Sequence, residues 1–413
     1  MRSVDAVVVG GGPAGAAAAI TLARADRRVL VVDKARFPRD KCCGDGLTAG
    51  ALRLLEQLGL NRGSVASWQR VDDVLVRGPS GRRVELPLPR HTGTFAAVAR
   101  RTDLDAAVLD LARAAGAEVL DGHACTAARA SGDRVVLDVD GIGELHSPFV
   151  VGADGMWSPL RKMLGATASG YRGEWHAFRQ YFTGVGPAAS RHLHVWFEAD
   201  LLPGYAWSFP LPGRTANVGF GIQRGNRHST REMAGVWPEL LARPHIAEVL
   251  GPSATPESPH RAWPIPARID EVVLSAGRAL FVGDAAAATD VLTGEGIGQA
   301  LLTGILAAEA IAIGGRDDPL RTCARYEQAV RRALVADHHM SKLLVRAVRH
   351  RKGVRAALRV ADANDWTRRN FARWLFEDYP RAVAVTPRRW HRRMFTGDGA
   401  FRTPVEPSSN AGR

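Results

Sequence analysis

Lysine is scarce in this chain: five residues, Lys34, Lys41, Lys162, Lys342 and Lys352, stand against 50 arginines among 413 positions. Cysteine is scarcer still, with Cys42, Cys43, Cys125 and Cys323 alone. None forms a CxxC pair or joins a His/Cys cluster at metal-ligand spacing, which argues against a disulfide framework and against a metal site. A reducing, cytoplasmic compartment is the expectation. An uninterrupted apolar run of membrane-spanning length is also missing, because Gly10, Gly11, Gly12 and Pro13 break the stretch from Ala6 to Ala25 and no cleavage pattern follows. At 46% hydrophobic and 23% charged residues the composition is that of a globular protein, long enough for two or three domains with real cores.

Acidic residues are sparse in the C-terminal fifth. Residues 331–413 hold 19 Lys and Arg against 7 Asp and Glu, so nearly all of the net charge of +13 lies there. Such a region suits peripheral contact with anionic lipid headgroups on the inner face of a membrane, or an acidic redox partner; the alternative is a solvated, Arg-rich helical surface. No aromatic-plus-basic recognition motif or zinc knuckle accompanies the charge, which disfavours nucleic acid. The sequence does not fix an oligomeric state.

The N-terminus carries the clearest signal. Val4 to Val9 is a short apolar run fit for a buried parallel strand, Ala14 to Arg24 has helix-forming composition, and Gly10-Gly11-Gly12-Pro13-Ala14-Gly15 lies between them. A second apolar run, Val29 to Val32, ends at Asp33 and Lys34, about twenty residues past the glycines. Gly10 permits the tight turn, Gly12 lets the backbone approach a pyrophosphate and Gly15 lets the helix pack on the strand. The helix N-terminus behind Pro13 and Ala14 offers free N–H groups to phosphate, and Asp33 can accept from a ribose hydroxyl. Strand, glycines, helix, strand and acid in register predict a dinucleotide site. Two later strands return to it, Phe149 to Ala153 ending in Asp154-Gly155, and Ala279 to Val282 ending in Gly283-Asp284 and leading to a helix from Gly294 to Ala308. One of Arg100 and Arg101, taken as Arg101, precedes a helix from Asp105 to Ala115 and is expected to face the cofactor.

The fold class expected is α/β: a discontinuous Rossmann-type domain of residues 1–70, 96–170 and 270–315, with an inserted, mostly antiparallel sheet formed by residues 71–95 and 171–269. The insert shows in Val71 to Pro89, His176 to Val185, Arg191 to Glu198 and Tyr205 to Gln223, which favour β-branched and aromatic residues between turn signals. Residues 316–413 read as helical, with a frayed end from Pro404. In that region Met340, Leu343, Leu344, Ala347 and Val348 share one helical face, expected to pack on the core.

These residues resemble the geranylgeranyl reductase family within the p-hydroxybenzoate-hydroxylase-like flavoproteins, over roughly residues 4 to 310. The likeness rests on the glycine turn, Phe37-Pro38-Arg39-Asp40-Lys41-Cys42-Cys43-Gly44-Asp45-Gly46-Leu47, Asp154-Gly155, Leu202-Pro203-Gly204-Tyr205-Ala206-Trp207-Ser208-Phe209-Pro210 with Asn217-Val218-Gly219, and Gly283-Asp284-Ala285-Ala286 running into Leu292-Thr293-Gly294-Glu295-Gly296. The resemblance implies FAD, with Asp284 near its ribityl and pyrophosphate groups and the helix start at Gly294, Gly296 and Ile297 near the ring. It places Cys43 and Gly44 by the isoalloxazine, and Trp196, Tyr205, Trp207 and Phe209 along an apolar tunnel. Cys43, Tyr205 and Trp207 are the candidate catalytic residues. The implied reaction is reduction of isolated double bonds in a prenyl chain of a lipid, chlorophyll side chain or menaquinone, with NADPH or a ferredoxin-type donor as reductant. The same fold serves flavin monooxygenases of aromatic or polyketide-like substrates, the alternative reading, and flavin halogenases, whose tunnel lysine this chain lacks. Cys42 departs from the proline or small apolar residue common before the family's cysteine.

Overall fold

A computed structural model describes residues 4–167, 170–225, 227–390 and 394–402. The end expected from Pro404 lies outside the described residues. The apolar run at the N-terminus forms the strand Ala6–Val9, flanked in parallel by Val29–Asp33 on one side and Phe149–Gly152 on the other. Glu118–Asp121 extends this sheet beyond Val29–Asp33, and Ala279–Phe281 with the antiparallel Ser275–Ala276 extends it at the other edge. All four interior positions of Ala6–Val9 are buried, as a strand covered on both faces requires.

The Pro13–Arg24 helix crosses one face of this sheet and packs on the Ile297–Gly314 helix. Alanine and glycine make that approach possible: a Cβ on Gly304 would run into the Ala14 carbonyl, and one on Gly15 into the Gly10 carbonyl. The Ile297–Gly314 helix is apolar and long enough to cross a membrane, yet 61% of it is buried in this packing. It starts three residues later and ends six later than the sequence suggests, since Gly294 and Gly296 belong to the turn before it.

The insert is an eight-stranded sheet built on Trp175–Thr183, Leu193–Trp196, Ala206–Leu211, Thr215–Gln223 and Arg261–Ile265, completed by Asp73–Arg77, Arg83–Pro87 and the short Thr255–Pro256. Its pairings are antiparallel except Leu193–Trp196 beside Asp73–Arg77, which is parallel. A three-stranded meander over Cys125–Ser131, Arg134–Val139 and Gly143–Ser147, absent from the expectation, covers the other face of the nucleotide sheet through Val135, Leu137 and Leu145.

Past residue 318 the chain is helical to Leu375, in Pro319–Val330, Ala336–Val348, Arg351–Ala361 and Asp365–Leu375, with a π-helical turn over Arg331–Val335. In Ala336–Val348 the fully buried residues are His338, Ser341 and Val345; of the expected stripe Leu344 and Val348 turn to a cavity, and Leu343 is exposed. Polar side chains face inward there: Ser341 Oγ donates to Asp290 Oδ2 at 2.6 Å, and His338 Nε2 lies 3.0 Å from Asp270 Oδ1.

Candidate active site

The C-terminal ends of the parallel strands open into one cavity of about 620 Å³ that continues beneath the inserted sheet. At the nucleotide end, Gly10 has φ +109°, and a Cβ there would collide with the Ala153 carbonyl. The helix behind Gly12 has no side-chain cap, which leaves its N–H groups directed at the cavity for an anion. Asp33 is fixed by the Gly11 N–H at 2.7 Å on Oδ2 and the Ala35 N–H at 2.8 Å on Oδ1. Gly10, Gly12, Pro13, Ala14, Asp33, Lys34 and Arg101 all line this end, with Asp154, Gly283 and Asp284 from the other strand ends. Gly15 does not; it packs helix on strand. Both carboxylate oxygens of Asp154 are engaged at the start of the Pro159–Met163 helix, by Ser158 Oγ at 2.6 Å and the Leu160 N–H at 2.9 Å. Arg39 is a lining residue the sequence reading did not single out; it reaches across Gly12 and pairs with Asp105 at 2.9 Å.

Cys43, Gly44, Gly294, Gly296 and Ile297 form the middle of the cavity. Arg101, held by two 2.7 Å hydrogen bonds to Asp105, lies against the Cys43 thiol, and burial still holds that thiol above its ordinary pKa. Burial pushes Cys42 up to about 12, so both cysteines retain their protons at neutral pH. Among the described residues all four cysteines are free.

The far end is apolar. Tyr205, Trp207 and Phe209 step along one strand with ring centroids 6.0 Å apart at each step. Phe209 leans over Gly44 and Gly46, where a Cβ would sit 3.3 and 3.2 Å from the ring. Tyr205 Oη donates to the Thr293 carbonyl, and burial raises its pKa. Trp196 lies elsewhere: the period of two in Leu193–Trp196 turns Val195 to the cavity and Trp196 to the opposite face, against His194 and the Phe178 core. The remaining wall comes from helices past residue 340, with Leu344, Val348, Val354, Leu358 and Trp374 lining the cavity.

Beneath Tyr205 lies a buried acidic cluster. Asp290 accepts from Thr293 N–H and Oγ1 at 2.8 Å each, Glu377 accepts from Gln299 at 3.0 Å and Arg381 at 3.2 Å, and Glu295 accepts from the Gly298 N–H at 2.6 Å. Arg381 is 3.4 Å from Asp290. Burial, with Glu377 and Asp290 facing it, pushes Glu295 up to about 8. Glu295 stood inside a quoted motif; Glu377 and Arg381 lie where the resemblance had ended.

Residues 3–313 match the FAD binding domain family. The chain is 35% identical over 336 residues to a menaquinone reductase of Mycobacterium tuberculosis, covering 75% of this chain and 76% of that protein. It is 31% identical over 312 residues to a digeranylgeranylglycerophospholipid reductase of Methanopyrus kandleri, covering 74% and 79% respectively. A crystal structure of a geranylgeranyl bacteriochlorophyll reductase-like protein of Thermoplasma acidophilum superposes with a TM-score of 0.78 at 20% identity, covering 94% of this chain and all of that one, and shows the shared fold. The glycine cradle, the uncapped helix N-terminus and the fixed Asp33 fit the nucleotide and pyrophosphate of FAD, and with these relatives they make the chain a member of the geranylgeranyl reductase family of FAD-dependent oxidoreductases.

Proposed function

We propose that this oxidoreductase reduces isolated C=C bonds in a prenyl chain, such as that of a geranylgeranyl lipid or a menaquinone, using electrons from NADPH or a ferredoxin-type donor. The observation that carries the reading is the single cavity that joins the glycine cradle to an apolar channel walled by Trp207, Phe209, Val354 and Leu358. FAD, once reduced, supplies the hydride for such a bond. Gly10, Gly12, Asp33, Arg101 and Asp284 would hold it. The aromatic strand and the C-terminal helices bind the chain and exclude water, so that the proton comes from a placed group. Cys43 and Tyr205 both line the channel and both stay protonated at neutral pH, as a proton donor must. In single-turnover reoxidation of reduced flavin by substrate, Cys43→Ala and Tyr205→Phe test them; wild-type rates in both remove both.

We place the enzyme against the inner face of an anionic membrane. The Arg351–Ala361 helix turns Val354 and Leu358 to the channel and leaves Arg351, Lys352, Arg355 and Arg359 exposed, with Val360 and Trp366 exposed nearby. Basic side chains flanking exposed apolar ones suit a headgroup layer. Full-length protein is expected to float with anionic but not neutral liposomes, and R355E/R359E to lose that difference. Flotation that ignores lipid charge and added salt contradicts the placement.

A further inference from the structure

Asn217 is fully buried on the Thr215–Gln223 strand, opposite Phe209 of the aromatic strand. Its amide is bonded to three different parts of the site: Nδ2 donates to the Cys43 carbonyl and to Asp45 Oδ2, both at 2.8 Å, and Oδ1 accepts from Trp207 Nε1 at 3.1 Å. Burial pushes Asp45 up to about 6, which leaves a carboxylate at neutral pH that can only accept. One orientation of the amide therefore satisfies all its partners. Turned over, it would set its oxygen against two oxygens and its NH2 against the indole N–H.

Cys43 and Asp45 belong to the loop after Phe37, Trp207 to the inserted sheet, and all three line the cavity, whereas Asn217 sits behind them and does not. The loop is held to the same sheet at two further points, by Arg179 Nη2 on Asp40 Oδ1 and by Tyr181 Oη on Asp45 Oδ2, both at 2.6 Å. The Trp207 indole is braced between the two: a Cβ on Gly219 would meet its Cζ2 at 2.4 Å, and one on Gly44 would come 3.8 Å from its Cε2. A tryptophan ring turns about two single bonds, and a hydrogen bond at Nε1 stops that rotation. Loop and wall thus meet, with Asn217 bonded to both, at the junction between the middle of the cavity and its apolar end.

We propose that Asn217 is a positioning residue that locks the Trp207 ring to the Cys43 loop, and that this lock holds a prenyl chain in a single register at the junction. The proposal rests on prenyl-chain reduction as the activity. The double bonds of such a chain are chemically alike and recur with every isoprene unit. A hydrocarbon offers no hydrogen-bonding group by which one of them could be chosen, so the choice falls to the shape of the walls. Shape selects only where the walls are fixed, since a misplacement of about 1 Å costs up to roughly a hundredfold in rate. Asn217 is out of reach of the chain and acts through the indole and the loop backbone.

The test compares Asn217→Leu, which keeps a side chain of similar shape and removes its hydrogen bonds, with Trp207→Phe, which keeps a ring and removes its N–H. Both are used as FAD-loaded proteins with the same menaquinone or geranylgeranyl lipid. At partial conversion the parent is expected to place its first pair of hydrogens at one isoprene unit, located by fragmentation mass spectrometry, and both variants to spread them over neighbouring units. In each variant kcat falls by about ten- to hundredfold while KM stays within about threefold of the parent. Because both changes open the same link, the double variant falls no further than the slower single one. Deuterium exchange of the amides of residues 43–46 needs no turnover, and Trp207→Phe is expected to quicken it by roughly tenfold although the substitution lies outside the loop. Should Asn217→Leu not fold, the product pattern and loop exchange of Trp207→Phe decide. A parent that already scatters its products, variants that keep the parent's position, losses that multiply in the double variant, or loop exchange unaltered by Trp207→Phe overturns the proposal. A parent that saturates no prenyl chain sinks the reductase reading instead, and loop exchange alone then decides whether Asn217 joins loop and wall.

Discussion

Asp33 shows how a single side chain is prepared for its ligand. Two backbone N–H groups, of Gly11 and Ala35, hold its carboxylate in one orientation, so a ribose hydroxyl bound there, as we propose, would cost it little freedom. A hydrogen bond to a charged acceptor contributes about 1.5–3 kcal/mol. Asp33→Ala is therefore expected to weaken FAD binding by roughly ten- to hundredfold in fluorescence titration of the apoprotein. Unaltered affinity would remove the ribose contact. Residues of this kind were legible in the sequence because a nucleotide cradle imposes local spacing: the glycines, Asp33 and the strand-end acids all fall within a few residues of an apolar run. Trp196 was not legible. Whether a strand residue faces a cavity depends on register, and one step along Leu193–Trp196 exchanges the faces. Asp45 and Glu295 stood inside quoted motifs, but only the packing around them reveals that they are buried, paired and shifted.

At the scale of elements, the Pro13–Arg24 and Ile297–Gly314 helices meet through small residues, and that contact holds the glycine cradle against the flavin end of the cavity. Gly304→Ala forces the Ala14 backbone away and is expected to lower stability by about 1–3 kcal/mol, seen as a fall in melting temperature, and to loosen FAD. An unchanged melting temperature would mean that the helices part without cost. Both helices were visible as compositional runs. The meander that begins at Cys125 was not, since its first strand, Cys125–Ser131, buries a single residue and so carries little apolar alternation. The inward face of Ala336–Val348 escaped for another reason: an apolar stripe marks a helix that packs on apolar partners, and this one packs on Asp290 and Asp270.

At the scale of the molecule, the C-terminal helices complete the apolar end of the cavity and the buried cluster beneath it, so distant parts of the chain titrate together. Glu295 has an ordinary pKa of 4.5 and is pushed up to about 8 by burial and by Glu377 and Asp290. The folded protein thus holds a proton that the unfolded chain releases. This contribution to stability is complete below pH 4.5, declines as pH rises between the two values and is gone above about 8. Glu295→Gln, which keeps the acceptor for Gly298, is expected to flatten the loss of melting temperature over that interval. An equal slope in the variant would mean that Glu295 is ionised in the folded protein. The basic surface of the same helices was evident from charge counts alone, whereas their role as a channel wall depends on a fold that brings residues 344–376 over residues 74–209.

The most direct measurement is anaerobic. The bound flavin is reduced stoichiometrically, mixed with menaquinone or a geranylgeranyl lipid, and followed for reoxidation together with product mass. Reoxidation accompanied by a gain of about two mass units for each double bond reduced is the expected result. Flavin that stays reduced until oxygen is admitted, and then yields an oxygenated product, would contradict prenyl-chain reduction and establish a monooxygenase.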